Sequence, residues 1–204
     1  MTQIDFGKRA LLYENYLLEK VMPFWMEHSI DKEYGGYFTC LDRKGQVYDQ
    51  DKFMWLQCRQ VWTLSMLYNN LEKNEAWLDA ALKGAEFLIK HGRDENKDWY
   101  FALDRAGKPL VQPYNIFSDC FATMAFAQLY KATGNPEHAT IAKETFERIL
   151  QRRDNPKGKY LKQIPENRQL KGFSLPMILC NLVLEIEHLL EPQLVQETLN
   201  YGVN

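Results

Sequence analysis

An arginine set among aromatic residues is the group in this chain best suited to do chemistry. Arg59 lies in KFMWLQCRQVW (52–62). At 100° per residue Lys52, Trp55, Arg59, Trp62 and Met66 share one helical face, while Gln57 points the other way. A guanidinium on an apolar face is either paired or waiting for a ligand, because an unpaired buried charge is costly. Asp119 is the natural partner for the first case. Trp55 and Trp62 flank Arg59, and each suits either stacking on a sugar or ordinary core packing.

Other candidates are weaker. A later helix places Asn115, Asp119, Ala122, Thr123 and Phe126 along one face, with Asp119 its only charge. An acid there touches a ligand or Arg59, or simply answers the helix dipole. Met177, Asn181, Leu184 and His188 share a further face, on which Asn181 is a candidate hydrogen-bonding group. His28 and His91 fall at helix C-termini, His138 in a polar first turn, and His188 near a helix end. None pairs with Arg59, so no catalytic base is assigned. Lys157 and Lys159 make the loop DNPKGKY basic, but it lacks the GxxxxGK[ST] frame of a phosphate-binding loop. The four cysteines are isolated, without CxxC or zinc spacing, and read as buried thiols of a reducing compartment rather than as metal ligands.

These residues must be positioned by helices. Apolar periodicity and capping signals predict helices over 5–28 (bent at Pro23), 51–71, 74–91, from Asn115 or Ser118 to 133, 135–151 and 174–190, with another from Glu191-Pro192. Between them LDRKGQVYD (41–49) is echoed by LDRAGKPLV (103–111). Each follows aromatic strand residues and precedes a helix, and NPKGKYLKQIP (155–165) is a fainter third copy. The unit is helix, extended segment, helix, with a period of about 60 residues. Such units bury their faces only by stacking. A closed ring of six would need roughly 370 residues, so residues 1–204 are expected to form one domain holding about half of an α/α toroid. The last helix has no stop signal, which suggests a truncated chain.

Composition narrows the function. A net charge of −2 from 25 basic and 27 acidic residues, mixed along the chain, gives no basic field for nucleic acid or anionic membrane. The N-terminal segment lacks an apolar signal core, and no apolar run reaches membrane-spanning length. A cytoplasmic protein is expected.

The segment GGYFTCLDRKGQVYDQDKFMWLQCRQVWTLS closely resembles the N-acylglucosamine 2-epimerases, also called renin-binding proteins. The likeness continues through YNIFSDCFA (114–122), RRDNPKGKYLKQ (152–163) and KGFSLPMILCNLVLE (171–185). Cys58 departs from the glycine more common in that family, on the face opposite Arg59. The resemblance implies an all-α barrel of six helical pairs, the (α/α)6 toroid. It implies interconversion of N-acetylglucosamine and N-acetylmannosamine, a homodimer, and no cofactor for the chemistry. A nucleotide such as ATP would be an activator, for which Lys157 and Lys159 are the candidate contacts. It also places the acid–base histidines beyond residue 204, so that this chain alone is expected to be inactive. Epimerisation at carbon 2 removes a proton beside a carbonyl, and the enolate oxygen needs positive charge. A permanently charged donor fork at Arg59 fits that need, with Trp55, Trp62, Asn115, Asp119 and Asn181 as substrate contacts. Two other readings stand beside it: a non-catalytic helical-repeat protein-binding module, and another α/α-barrel sugar enzyme such as a cellobiose 2-epimerase or an aldose–ketose isomerase.

Overall fold

The computed structural model describes residues 5–155, 167 and 172–203. The first long helix is built in three parts: α1 (Phe6–Tyr16), a π-helical turn (Leu17–Val21) and α2 (Met22–His28). Asp5 caps its start by accepting from the Lys8 N–H. Pro23 has no N–H to donate to the preceding turn, and the wider π turn lies just before it, so the expected irregularity is a local change of helical pitch. Five further helices follow: α3 (Met54–Asn70), α4 (Glu75–His91), α5 (Ile116–Thr133), α6 (Pro136–Arg152) and α7 (Ser174–Glu185). A 3-10 turn at Glu187–Leu189 then leads to α8 (Pro192–Val203). Asn74, Asn115 and Asn135 cap α4, α5 and α6 with their side-chain oxygens. The helix expected to run to residue 190 stops at Glu185, where Ile186 leaves helical geometry.

The helices pair as α3–α4, α5–α6 and α7–α8, and α5 packs against both α3 and α7, so those three form one row. The extended segments tie the pairs together. β1 (Cys40–Leu41) and β2 (Val47–Asp49) form one antiparallel hairpin. β4 (Ala102–Leu103) and β5 (Pro109–Val111) form the next, and β3 (Lys52–Phe53) pairs with β4. Lys52 therefore belongs to a strand and not to the Arg59 helix, which begins at Met54, three residues later than expected. The repeated LDR-x-G turns match in detail. In each, the aspartate side chain (Asp42 or Asp104) accepts backbone N–H bonds, and the glycine lies at positive φ. Gly45 and Gly107 are also pressed against the rings of His28 and His91, whose atoms would lie within about 2.5 Å of an added Cβ. The repeat thus includes a histidine at the end of the preceding helix. Its third copy lies almost wholly outside the described residues.

A buried charge cluster locks the first hairpin region to the second. Lys52 donates to Asp31 Oδ2 (3.0 Å), Gly35 O (2.6 Å) and Arg105 O (2.7 Å), and Arg105 clasps Asp31 through Nε (2.9 Å) and Nη2 (3.0 Å). Burial opposes the Asp31 charge, but the bonds from Arg105 and Lys52 outweigh it and hold the carboxyl down at about 2. Nearby, Gln57 receives the Tyr37 N–H and donates to the Tyr37 carbonyl, while Tyr37 Oη reaches Ala80 O past Gly84. Among the described residues no helix is long and apolar enough to cross a membrane. Cys58 and Cys120 are buried between helices, and burial pushes both thiols up.

Candidate active site

Arg59 sits on the second turn of α3, and its guanidinium carbon lies 4.9 Å from the Trp55 ring centre and 4.4 Å from that of Phe121 on α5. Those two rings meet at 6.1 Å and 45°. Among the described residues Arg59 has no hydrogen-bond or ion-pair partner, and its side chain is exposed at a hollow of about 330 Å³. Trp55, Asn115, Phe117, Phe121 and Ile178 complete the lining. The arginine is therefore held by π-faces, which orient a cation without neutralising it. The hollow lies where α3, α5 and α7 begin. The Met54 N–H is anchored on Phe101 O (2.9 Å), and the rings of Phe53, Phe101 and Tyr114 pack in series at this end. Asn115 closes the start of α5 by accepting from the Phe117 N–H at 2.9 Å.

The other sequence candidates are distributed differently. Trp55 and Asn115 line the hollow with Arg59, whereas Trp62 does not. Trp62 packs against the core and donates from Nε1 to Glu185 (3.2 Å), which also receives Gln128 Nε2 (2.8 Å). Asp119 is buried on the opposite side of α5, 3.3 Å from Arg152 of α6, and is not the partner of Arg59. Loss of solvent pushes its carboxyl up to about 7, with Arg152 only partly opposing the shift. Asn181 is exposed on α7, with Nδ2 3.7 Å from the Met124 sulfur, and is absent from the lining. Lys157 and Lys159 lie outside the described residues.

The face assigned to α5 from sequence, through Asp119, Ala122, Thr123 and Phe126, is turned into packing, and Phe117 and Phe121 face the hollow instead. On α7 the lining residue is Ile178, not the expected Asn181. Phe117 and Phe121 share a face at i, i+4, which is the only signal that would have found them. None of the four histidines lines the hollow. His28 and His91 seat the repeated turns, His138 is buried beside Thr133 and Phe126, and His188 stacks on Tyr130. The described residues contain no cluster of His, Cys, Asp and Glu able to hold a metal ion.

The geometry is that of a cation and an aromatic wall where paired helices begin. The sequence profile described as N-acylglucosamine 2-epimerase (GlcNAc 2-epimerase) matches residues 36–194. Human N-acylglucosamine 2-epimerase is 41% identical over 174 residues, covering 83% of this chain and 41% of the human protein. The cellobiose 2-epimerase of Dictyoglomus turgidum is 34% identical over 137 residues, covering 66% of this chain and 34% of that protein. Among solved structures, cellobiose 2-epimerase from Spirochaeta thermophila superposes with a TM-score of 0.80 at 20% identity, over 100% of this chain and 55% of the other. That likeness establishes the α/α toroid fold. The chain spans about two fifths of the length of the N-acylglucosamine 2-epimerases it matches. It belongs to the N-acylglucosamine 2-epimerase family.

Proposed function

We propose that this chain supplies the cationic wall of a sugar 2-epimerase site, acting on N-acetylglucosamine and N-acetylmannosamine. The observation that carries the reading is Arg59, unneutralised among the described residues and held by two rings at the edge of a hollow. Once the sugar ring opens, the proton on carbon 2 lies beside an aldehyde, and its removal places negative charge on the aldehyde oxygen. A guanidinium aimed there offers fixed charge and N–H donors at the developing oxyanion, and so lowers the barrier to the enolate. Return of the proton to the opposite face completes epimerisation. The base is not assigned to this chain: no histidine lines the hollow, and Asp119 lies behind α5, out of reach of a sugar held there. An anionic intermediate gives the unneutralised Arg59 a role, which a protein-binding helical repeat does not require.

The test is sugar binding by calorimetry with the chain and with Arg59→Ala. The expected result is measurable binding of N-acetylmannosamine that the substitution abolishes while the far-UV spectrum is unchanged; equal binding by both proteins would overturn the reading. The chain alone is expected to exchange no carbon-2 proton in D2O. A homodimer, a cytoplasmic setting and a nucleotide activator belong to the same proposal; the first and last rest on the family resemblance, the second on composition and the isolated cysteines. Gel filtration, and binding repeated with ATP present, test the first and last of these.

A further inference from the structure

The hollow beside Arg59 has a second side, and we infer that Asn115, Phe117 and Ile178 receive the acyl group of an N-acylated amino sugar. This rests on the sugar-site reading above. Trp55 and Phe121 each turn one face to the guanidinium, at 4.9 and 4.4 Å. Of the apolar lining, Phe117 and Ile178 are the two side chains that do not hold the cation. Between them and the cation in character is Asn115. Its Oδ1 is fixed by the Phe117 N–H at 2.9 Å, which identifies the other end of the amide as Nδ2. Among the described residues that NH2 group has no partner.

An N-acyl substituent presents two needs one bond apart: a carbonyl oxygen requiring a donor, and a short alkyl tail requiring an apolar wall. Asn115 Nδ2 matches the first, and Phe117 with Ile178 the second. A sugar carrying a plain hydroxyl at carbon 2 has no tail to place there. The same hollow would then hold the reacting end of the sugar against Arg59 and its carbon-2 substituent against α5 and α7. Asn115, Phe117 and Ile178 thus become specificity-determining, while Arg59 serves any sugar whose carbon 2 is deprotonated.

The experiment measures binding of N-acetylmannosamine and of mannose to the chain, by quenching of tryptophan fluorescence (Trp55 lines the hollow) and by calorimetry. The wild-type chain is expected to favour N-acetylmannosamine by on the order of tenfold or more, the range that one or two apolar groups give in a matched pocket. Ile178→Asn and Asn115→Ser are each expected to reduce that preference severalfold. Serine still caps α5, so the second variant keeps the helix start and answers the question if the first fails to fold. Equal affinity for the two sugars, or a preference untouched by both variants, overturns the acyl assignment and leaves the sugar site standing. Binding of neither sugar overturns both.

Discussion

Two cationic centres lie about two helical turns apart in sequence and have opposite fates. Lys52 is fully buried and saturated by one carboxylate and two carbonyls, with Arg105 closing the same carboxylate from outside. Arg59 is exposed at a hollow and, among the described residues, is held by rings alone. Lys52 is a fastener: removing its partner would leave a charge in the interior. Arg59 contributes little to the fold, and among the described residues its donors have no partner. The difference shows that the function of a cation here is decided by what surrounds it, and that the sequence neighbourhood, KFMWLQCR, is shared by both.

The sharpest way to break this contrast is Asp31→Asn, which strands Lys52 and Arg105. A loss of about 3–5 kcal/mol in urea unfolding is expected, as for other broken buried pairs; a loss within error would mean the cluster is not a fastener. Next in size is Gly84→Ala, since an added Cβ would lie 2.1 Å from Tyr37 Oη and push the Tyr37–Ala80 bond apart. It should cost roughly 1–3 kcal/mol in the same assay. The two buried acids then give opposite pH dependences. The Asp31 carboxyl is held at about 2, so its stabilisation is full above the ordinary carboxylate range and disappears as pH falls from about 4 towards 2. The Asp119 carboxyl is raised to about 7, so folding binds a proton there and stability declines as pH rises from about 4 to 7. Thermal melts across that window should show the second slope, and Asp119→Asn should remove it. The smallest effect on stability belongs to Arg59→Ala, about 1 kcal/mol or less, the scale of an exposed cation–π contact. A larger loss would make Arg59 a fastener too and erase the contrast.

Helix boundaries were legible where the signals are local. Asn74 and Asn135 cap helices at the expected starts, and Asn115 is the one of two expected starts that caps α5, because a cap depends only on the next three residues. The paired LDR-x-G turns were legible for the same reason. The orientation of α5 was not. That helix is packed by α3, α6 and α7 and is apolar on nearly every side, so periodicity carries no direction, and Asp119 was turned towards the wrong neighbour. The strand at Lys52–Phe53 was missed because its partner, Ala102–Leu103, lies in the following repeat and leaves no mark near residue 52.

The sequence by itself determined the helices, their caps, the repeated turns and an arginine in an aromatic setting, all of which depend on contacts within a few residues. Only the tertiary structure decided that Asp31 is clasped by Lys52 and Arg105, that Asp119 belongs to Arg152, and that Phe121 comes across from α5 to cover Arg59. Those pairings join residues more than twenty positions apart. Charge and apolarity say that a partner is required, and only the packing of one helical pair on the next says which.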